Sequence, residues 1–163
     1  MSRPSRDEYF IKLALLTATR ATCLRRAVGC VLVNKRGHVL STGYNGVAAG
    51  QAHCNEAVST NSDGFEPFVY PHACSGATAE SGTKLDACQA IHAEQNALLQ
   101  CRDVWDIETC YCTDSPCITC TKLLLNTNCE RIVFAREYPH PEACQLWRSS
   151  GRIWHHEPAV WQP

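Results

Sequence analysis

Two short segments of this sequence, HAE at 92–94 and PCITC at 116–120, carry residue types that bind metal ions. Cys117 and Cys120 are three positions apart, so on a helix they share one face and can bind the same ion. Both segments are predicted to open helices, where backbone amides and the positive end of the helix dipole favour the thiolate that binds zinc. His92 supplies a third ligand, and three protein ligands leave the fourth tetrahedral position open for water, which is typical of a catalytic zinc.

Glu94 has the position expected of a proton carrier rather than of a metal ligand. Because it lies two residues from His92, its carboxylate can face the open position, take a proton from water and deliver it to a ring nitrogen and then to a departing amino group. A lone C-x-x-C pair also occurs in structural zinc sites and in redox pairs. The joint pattern H-x-E followed by P-C-x-x-C is the signature of zinc nucleobase deaminases and favours the catalytic interpretation.

The elements that must position these residues alternate between helices and strands. Ser5 and Glu8 have the spacing of a capping box and predict a first helix over 9–21, apolar nearly all round and therefore buried. Ser115 and Pro116 predict the N-cap and first residue of the helix that carries the cysteine pair. The remaining patterns predict strands at 28–34, 39–43, 108–113, 131–135 and 152–155 and helices at 90–102, 115–126 and 141–150. A hairpin followed by alternating strands and helices indicates a layered α/β domain with a mixed sheet.

The composition narrows the class of protein. The 163 residues suffice for one domain with a core, and 15 Lys and Arg against 16 Asp and Glu give no basic excess for a long nucleic acid. The charged segment 1–10 lacks the apolar run of a signal peptide, and no stretch approaches the roughly 18 apolar residues that cross a membrane. The 12 cysteines would suggest a disulfide framework in a secreted chain, whereas here they favour a reducing, cytoplasmic location where thiols pack or bind metal.

Four blocks of sequence resemble the deoxycytidylate (dCMP) deaminases and lie in the same order. They are CLRRAVGCVLV (23–33), STGYNG (41–46), IHAEQNALLQC (91–101) and SPCITCTKLLL (115–125). The last two are shared across the cytidine deaminase superfamily, whereas CLRRAVG and GYNG narrow the resemblance to dCMP deaminases. The resemblance implies a three-layer α/β/α fold with a central five-stranded mixed sheet, and zinc-dependent conversion of dCMP to dUMP in pyrimidine deoxynucleotide metabolism. It also implies a homo-oligomer, often a hexamer, that dCTP activates and dTTP inhibits.

The same resemblance assigns three residues to the substrate. Asn45 of GYNG would contact the deoxyribose, Arg26 of CLRR would bind the 5′-phosphate, and Tyr138 would close over the nucleotide. The simpler alternatives are that GYNG forms only a turn and that Arg25 or Arg26 is a solvated charge.

The resemblance also implies a second, structural zinc. Residues 47–88 hold Gly, Ser, Asn and Pro with little periodicity, and we treat them as an insert within a single domain over 1–163. The extra cysteines of competence-type dCMP deaminases correspond to Cys23, Cys54, Cys74 and Cys88. A metal bound there could pin the insert to the first helix, although His53 and His72 leave the ligand set open, and buried free thiols are the alternative.

Other functions remain possible from the sequence. The alternatives within the same chemistry are deamination of cytidine or of a tRNA adenosine, and the near-neutral charge argues against the tRNA. A zinc-stabilised interaction module without activity is the alternative from another class, and Glu94 argues against it, because a structural site needs no carboxylate beside an open position. The remaining cysteines fall on predicted strand or helix faces and are predicted to serve packing, namely Cys30, Cys101, Cys110, Cys112, Cys129 and Cys144.

Overall fold

The part of the chain that the structure describes contains five strands and four helices, which alternate after an initial hairpin. In the computed structural model this part comprises residues 2–54, 76, 79–80, 83 and 88–158. The helices are α1 (Arg6–Ala18), α2 (Ala93–Gln100), α3 (Ile118–Leu125) and α4 (Pro141–Ser149). The strands are β1 (Gly29–Val33), β2 (Val39–Tyr44), β3 (Thr109–Asp114), β4 (Arg131–Arg136) and β5 (Ile153–His156). Every predicted helix and strand is present, which confirms the order of elements.

The strands form one mixed sheet in the order β2-β1-β3-β4-β5. Strand β1 pairs antiparallel with β2, as the predicted hairpin requires, and antiparallel with β3. Strands β3, β4 and β5 run parallel, so α3 and α4 serve as the crossover connections between them. The parallel pairing brings the ends of β3 and β4 to one edge of the sheet, where Asp114 is the register partner of Arg136.

Helices cover both faces of the sheet and give the three α/β/α layers that the resemblance implies. Helix α1 packs on one face, where Phe10 and Ile11 meet Val31 and Tyr111. Helices α2, α3 and α4 cover the opposite face, and their side of the core includes the fully buried Trp147. Successive residues of β1 alternate between these two cores, as a strand's side chains must when both faces are covered.

Helix α1 has the predicted capping box, but it spans Arg6–Ala18 rather than 9–21 and is less buried than predicted. The Ser5 side chain accepts a hydrogen bond from the Glu8 amide, and the Glu8 carboxylate accepts one from the Ser5 amide. Tyr9 and Leu16 are 53% and 52% exposed, so the apolar residues of this helix do not all face the core. The prediction of an all-round buried helix was therefore wrong, because α1 lies on the outside of the sheet and has only one covered face.

The starts of α2 and α3 also differ from the predictions. His92 is the N-cap of α2 rather than a residue of its first turn, and Cys117, not Ser115, is the N-cap of α3. Cys117 has an extended backbone, with φ −70° and ψ 170°, so the helix cannot include the two residues before it. Ser115 instead accepts a hydrogen bond from the Tyr138 amide at 2.6 Å and connects the end of β3 to the segment after β4.

No helix in the described part of the chain has the length and apolar character needed to span a bilayer. Most of the predicted insert at 47–88 lies outside the described residues.

Candidate active site

The structure brings His92, Cys117 and Cys120 together at the adjacent starts of α2 and α3. The Nδ1 atom of His92 lies 3.5 Å from Sγ of Cys117 and 3.4 Å from Sγ of Cys120. The three donor atoms all lie within 4.8 Å of one another. The residues that the sequence predicts as metal ligands therefore share one small volume, although α2 and α3 are separated along the chain by β3.

The spacing of these donor atoms fits a tetrahedral zinc ion. Zn–S bonds of about 2.3 Å and Zn–N bonds of about 2.0–2.1 Å, at tetrahedral angles, place sulfur and nitrogen about 3.5 Å apart. The two nitrogen–sulfur distances agree with this value. One nitrogen and two sulfurs are also the donor types that zinc prefers among common biological cations.

Contacts within the group favour a deprotonated sulfur. The neighbouring Cys120 thiol lowers the pKa of Cys117 to about 4, against the effect of burial, and His92 lowers it further. Contact with Cys117 and burial raise the pKa of Cys120, and contact with Cys117 also raises the pKa of His92. The group thus holds a thiolate next to an imidazole that readily binds a proton. A divalent cation would displace the remaining protons, so its binding must weaken in acid.

Glu94 is buried at the start of α2 and faces the same cavity as His92. The residue is 4% exposed and lines that cavity together with His92 and Cys117. Burial raises the pKa of Glu94 to about 7. A carboxyl group with a pKa near neutrality can both accept and release a proton, which is the property a general acid–base catalyst requires.

Fully buried cysteines lie in the core beneath this site. Cys110 Sγ lies 3.6 Å from Sγ of Cys30 and 3.4 Å from Sγ of Cys112, and all three residues belong to the core on the α2 side of the sheet. Cys129 is buried in the same core, so the packing prediction is confirmed for these four residues. Cys101 is partly buried and packs against the same core, and Cys144 is partly buried on α4.

One cavity joins the metal-binding group to the residues predicted to bind substrate. Its lining includes His92, Glu94, Cys117, Asn45, Arg26 and Tyr138. The guanidinium of Arg26 lies over the ring of Tyr138, 4.9 Å from the ring centroid, and donates a hydrogen bond to Asp114 at 2.9 Å. A cation therefore lies at the cavity, in contact with an aromatic face and a carboxylate, where its remaining N–H groups could bind an anionic group of a ligand.

Asn45 holds the loop that carries Arg26. Its Oδ1 accepts a hydrogen bond from the Val28 amide at 2.8 Å, and its Nδ2 donates to the Arg26 carbonyl at 2.7 Å. Both side-chain atoms can make a further hydrogen bond, because Oδ1 has a second lone pair and Nδ2 has a second hydrogen. The GYNG segment is thus more than a turn, since its asparagine fixes the neighbouring loop and lines the cavity.

Three charged residues near the cavity were not assigned a role from the sequence. Asp114 and Arg25 line the cavity, and Arg136 donates a hydrogen bond to Asp114 at 2.9 Å. Arg25 donates through Nη2 to the carbonyls of Glu80 and Thr83, while its buried Nη1 has no hydrogen-bond partner among the described residues. The doubled arginine of CLRR was a signal for Arg25, whereas no local pattern marks Asp114 or Arg136.

The cysteines predicted to bind a second zinc are only partly described. Cys54 is buried and packs against Val47 and Cys88, while Cys23 and Cys88 line the cavity. Cys74 and His72 lie outside the described residues. The predicted four-cysteine set therefore stays a prediction.

Comparison with known proteins agrees with this chemistry. Residues 4–136 match the family model of the cytidine and deoxycytidylate deaminase zinc-binding region. The chain is 42% identical over 139 residues to the deoxycytidylate deaminase of Mycobacterium phage D29, a match that covers 84% of this chain and 99% of the phage protein. It is 36% identical over 138 residues to the deoxycytidylate deaminase of Schizosaccharomyces pombe, a match that covers 83% of this chain but only 38% of the yeast protein.

The fold also matches a solved structure. The crystal structure of dCMP deaminase from the cyanophage S-TIM5 in complex with dCMP and dUMP superposes with a TM-score of 0.69 at 23% sequence identity. The match covers 96% of this chain and 100% of the phage chain. At this level of identity the similarity establishes the α/β/α fold.

Proposed function

The chain belongs to the cytidine and deoxycytidylate deaminase zinc-binding family, and we propose that it catalyses the hydrolytic deamination of dCMP to dUMP in deoxynucleotide metabolism. One observation carries the proposal: a single cavity is lined by two of the three zinc-type donors, His92 and Cys117, by the buried carboxylate of Glu94 and by an arginine. The donors and the carboxylate provide the chemistry of deamination. The arginine can bind a phosphate group, which favours a phosphorylated substrate.

His92, Cys117 and Cys120 are the proposed zinc ligands. Their donor distances fit the ion, and the thiolate-favouring contacts of Cys117 support binding. Zinc bound there supplies Lewis-acid activation of the water that attacks the cytosine ring.

Glu94 is the proposed proton carrier. In its deprotonated form the carboxylate accepts a proton from the attacking water and delivers it to N3 of the ring as the C4–O bond forms. A second proton transfer through the same carboxyl group protonates the amino group, and the C4–N bond then breaks to release ammonia and dUMP. The burial of Glu94 supports this role, because excluding solvent keeps the proton between the carboxylate and the substrate.

Arg26, Asn45 and Tyr138 are proposed to hold the nucleotide. Arg26 can bind the 5′-phosphate with the guanidinium edge that does not face Asp114, and Tyr138, whose ring lies against that guanidinium, can close over the nucleotide. Asn45 can contact the deoxyribose hydroxyl through its remaining hydrogen-bonding capacity. All three assignments draw support from the shared cavity and from the CLRR and GYNG blocks.

Regulation and assembly follow from the family resemblance alone. We propose activation by dCTP, inhibition by dTTP, a homo-oligomer and a cytoplasmic location on that basis. The organisation as one domain with an insert at 47–88 is likewise a proposal.

The substrate assignment is tested by one ultraviolet absorbance assay of the purified protein against dCMP, dCTP, cytidine and deoxycytidine. We expect dCMP to have the highest kcat/KM, with dCTP added at low concentration raising the rate and dTTP lowering it. An equal or higher kcat/KM for deoxycytidine or cytidine would contradict the proposed phosphate recognition. Arg26→Gln tests the phosphate contact directly. This variant should raise the KM for dCMP, while kcat and KM for deoxycytidine should change little.

A further inference from the structure

A buried carboxylate stands where the substrate phosphate is proposed to bind. Asp114, the last residue of β3, is 4% exposed and lines the cavity together with Arg26. A phosphate monoester carries a charge of about −1.5 to −2 near neutral pH, so an uncompensated carboxylate at this place would repel it. It would also bind Arg26 on its own and compete with the phosphate for that guanidinium.

Arg136 offsets the negative charge of this carboxylate and does not itself line the cavity. Its Nη2 donates to Oδ2 of Asp114 at 2.9 Å, while Arg26 donates through Nη1 to Oδ1 at 2.9 Å. Because Asp114 and Arg136 are register partners at the ends of β3 and β4, the sheet fixes their geometry. The same Nη2 lies 3.4 Å from the carbonyl of Ala27, so Arg136 also contacts the loop that carries Arg26.

We propose that Arg136 is a positioning residue for phosphate recognition. Because Arg136 and Arg26 both bind the carboxylate of Asp114, Arg136 weakens the hold of Asp114 on Arg26 and leaves Arg26 available to the phosphate. This inference rests on the proposed function. The group of two arginines and one aspartate has a net positive charge, which falls to zero if Arg136 is neutralised. Removing Arg136 therefore weakens the attraction for the phosphate and strengthens the hold of Asp114 on Arg26, and both effects act in the same direction.

A purely structural role for Arg136 leads to different expectations. If Arg136 only joined the end of β4 to the loop at 26–28, its loss would disturb the whole cavity and lower turnover of every substrate alike. A positioning role through Asp114 instead predicts a loss that depends on the phosphate. Comparing kcat/KM for a substrate with a phosphate and for one without it distinguishes the two roles.

The experiment measures kcat and KM of Arg136→Gln with dCMP and with deoxycytidine. We expect kcat/KM for dCMP to fall about tenfold, mainly through KM, and kcat/KM for deoxycytidine to stay within about twofold. The inhibition constant of inorganic phosphate against dCMP turnover should rise in parallel, which provides a measurement that needs no turnover of a nucleoside. Arg136→Lys should restore part of the loss, and Arg102→Gln, an exposed arginine after α2, is the matched control.

A double-mutant cycle with Asp114→Asn tests whether Arg136 acts through Asp114. The loss caused by Arg136→Gln should shrink when Asp114 is already neutral. An undiminished loss in that background would mean that Arg136 acts on the phosphate without Asp114 and would overturn the proposal, as would equal losses for dCMP and deoxycytidine. If the wild-type protein failed to deaminate dCMP, the proposed function would be wrong, whereas an unchanged preference for dCMP in Arg136→Gln would contradict this inference alone. Zinc content and thermal melting establish that each variant is folded.

Discussion

The Nδ1 atom of His92 lies 3.4 Å from Sγ of Cys120, although 28 positions separate the two residues in the sequence. The N-terminal ends of α2 and α3 meet on one face of the sheet, so two short motifs on different helices form one metal-binding group. This meeting of helix ends underlies both the proposed chemistry and the first prediction.

Replacing Cys120 by serine should remove the catalytic metal. A hydroxyl is a far weaker zinc ligand than a thiolate, so we expect Cys120→Ser to lose one zinc ion per chain and to lower kcat at least about a hundredfold. Metal analysis of the purified protein, together with the rate of dCMP turnover, provides the measurement. Cys144→Ser, at a partly buried position on α4, is the control and should keep both zinc and activity. A fully active Cys120→Ser protein would exclude this residue as a ligand.

Replacing Glu94 by glutamine should separate metal binding from catalysis. Glutamine has nearly the same shape but cannot carry the proton, so zinc content and thermal stability should persist while kcat falls by about 10²–10⁴. The comparison with Cys120→Ser is informative, because that variant should lose zinc as well as activity. If Glu94→Gln retained most of the wild-type rate, the proposed proton carrier would be another group.

The sequence predicted the chemistry better than it predicted the recognition of substrate. Two local motifs carry the residues for the chemistry, namely His92, Glu94, Cys117 and Cys120. Together these motifs are the signature of zinc nucleobase deaminases, so the meeting of the residues in one site was expected from the motifs alone. Asp114 lies 88 positions from its partner Arg26, and an ion pair across that distance has no sequence signature.

The prediction of secondary structure was least accurate at the ends of helices. Ser115 and Pro116 have strong preferences for helix starts, but the extended backbone of Cys117 moves the start of α3 past them. Ser115 is then available to accept the hydrogen bond from Tyr138. The local preference lost to a tertiary contact that orients the proposed substrate residue Tyr138.

The rate should depend on pH through Glu94 and the ligand group. Burial raises the pKa of Glu94 to about 7, and a cation bound by His92 would lower it. The attacking water can donate its proton only to the deprotonated carboxylate, so kcat/KM should fall as pH decreases through the value that applies in the loaded enzyme. Protonation of the ligands steepens the loss in more acidic solution. A kcat/KM profile that stayed flat down to pH 4 would contradict these assignments.

The number of zinc ions per chain tests the predicted structural site. If Cys23, Cys54, Cys74 and Cys88 bind a second ion, the purified protein should contain two zinc ions, and Cys120→Ser should retain one of them. Cys54→Ser should then lose the structural ion, with a lower melting temperature, because the metal would no longer pin the insert. One zinc ion in the wild-type protein, lost completely in Cys120→Ser, would rule out the second site.

Asp7 should make the stability of the fold dependent on pH. The hydroxyl of Tyr111 donates to Asp7 at 2.7 Å, and Arg131 donates through Nη2 at 2.8 Å, so the contact joins α1 to β3 and β4. Burial raises the pKa of Asp7, but the hydrogen bonds from Arg131 and Tyr111 outweigh it, and the net pKa lies below the ordinary value. A carboxylate with a lowered pKa in the folded state stabilises the protein above its unfolded-state pKa of about 4, and that contribution disappears as pH falls through the folded-state value.

Replacing Asp7 by asparagine should therefore destabilise the protein at pH 7 but hardly at all in strong acid. We expect Asp7→Asn to lower the free energy of unfolding by about 1 kcal/mol at pH 7, because the charge-assisted bonds to Arg131 are lost while the shape is kept. Urea denaturation of both proteins at pH 7 and at about pH 3 measures the difference, which should shrink at the lower pH. Glu130→Gln, at an exposed position before β4, is the control and should show little difference at either pH. A difference between Asp7→Asn and the wild type that grew in acid would reverse the sign of this argument, since it would mean that protonated Asp7 is the stabilising form.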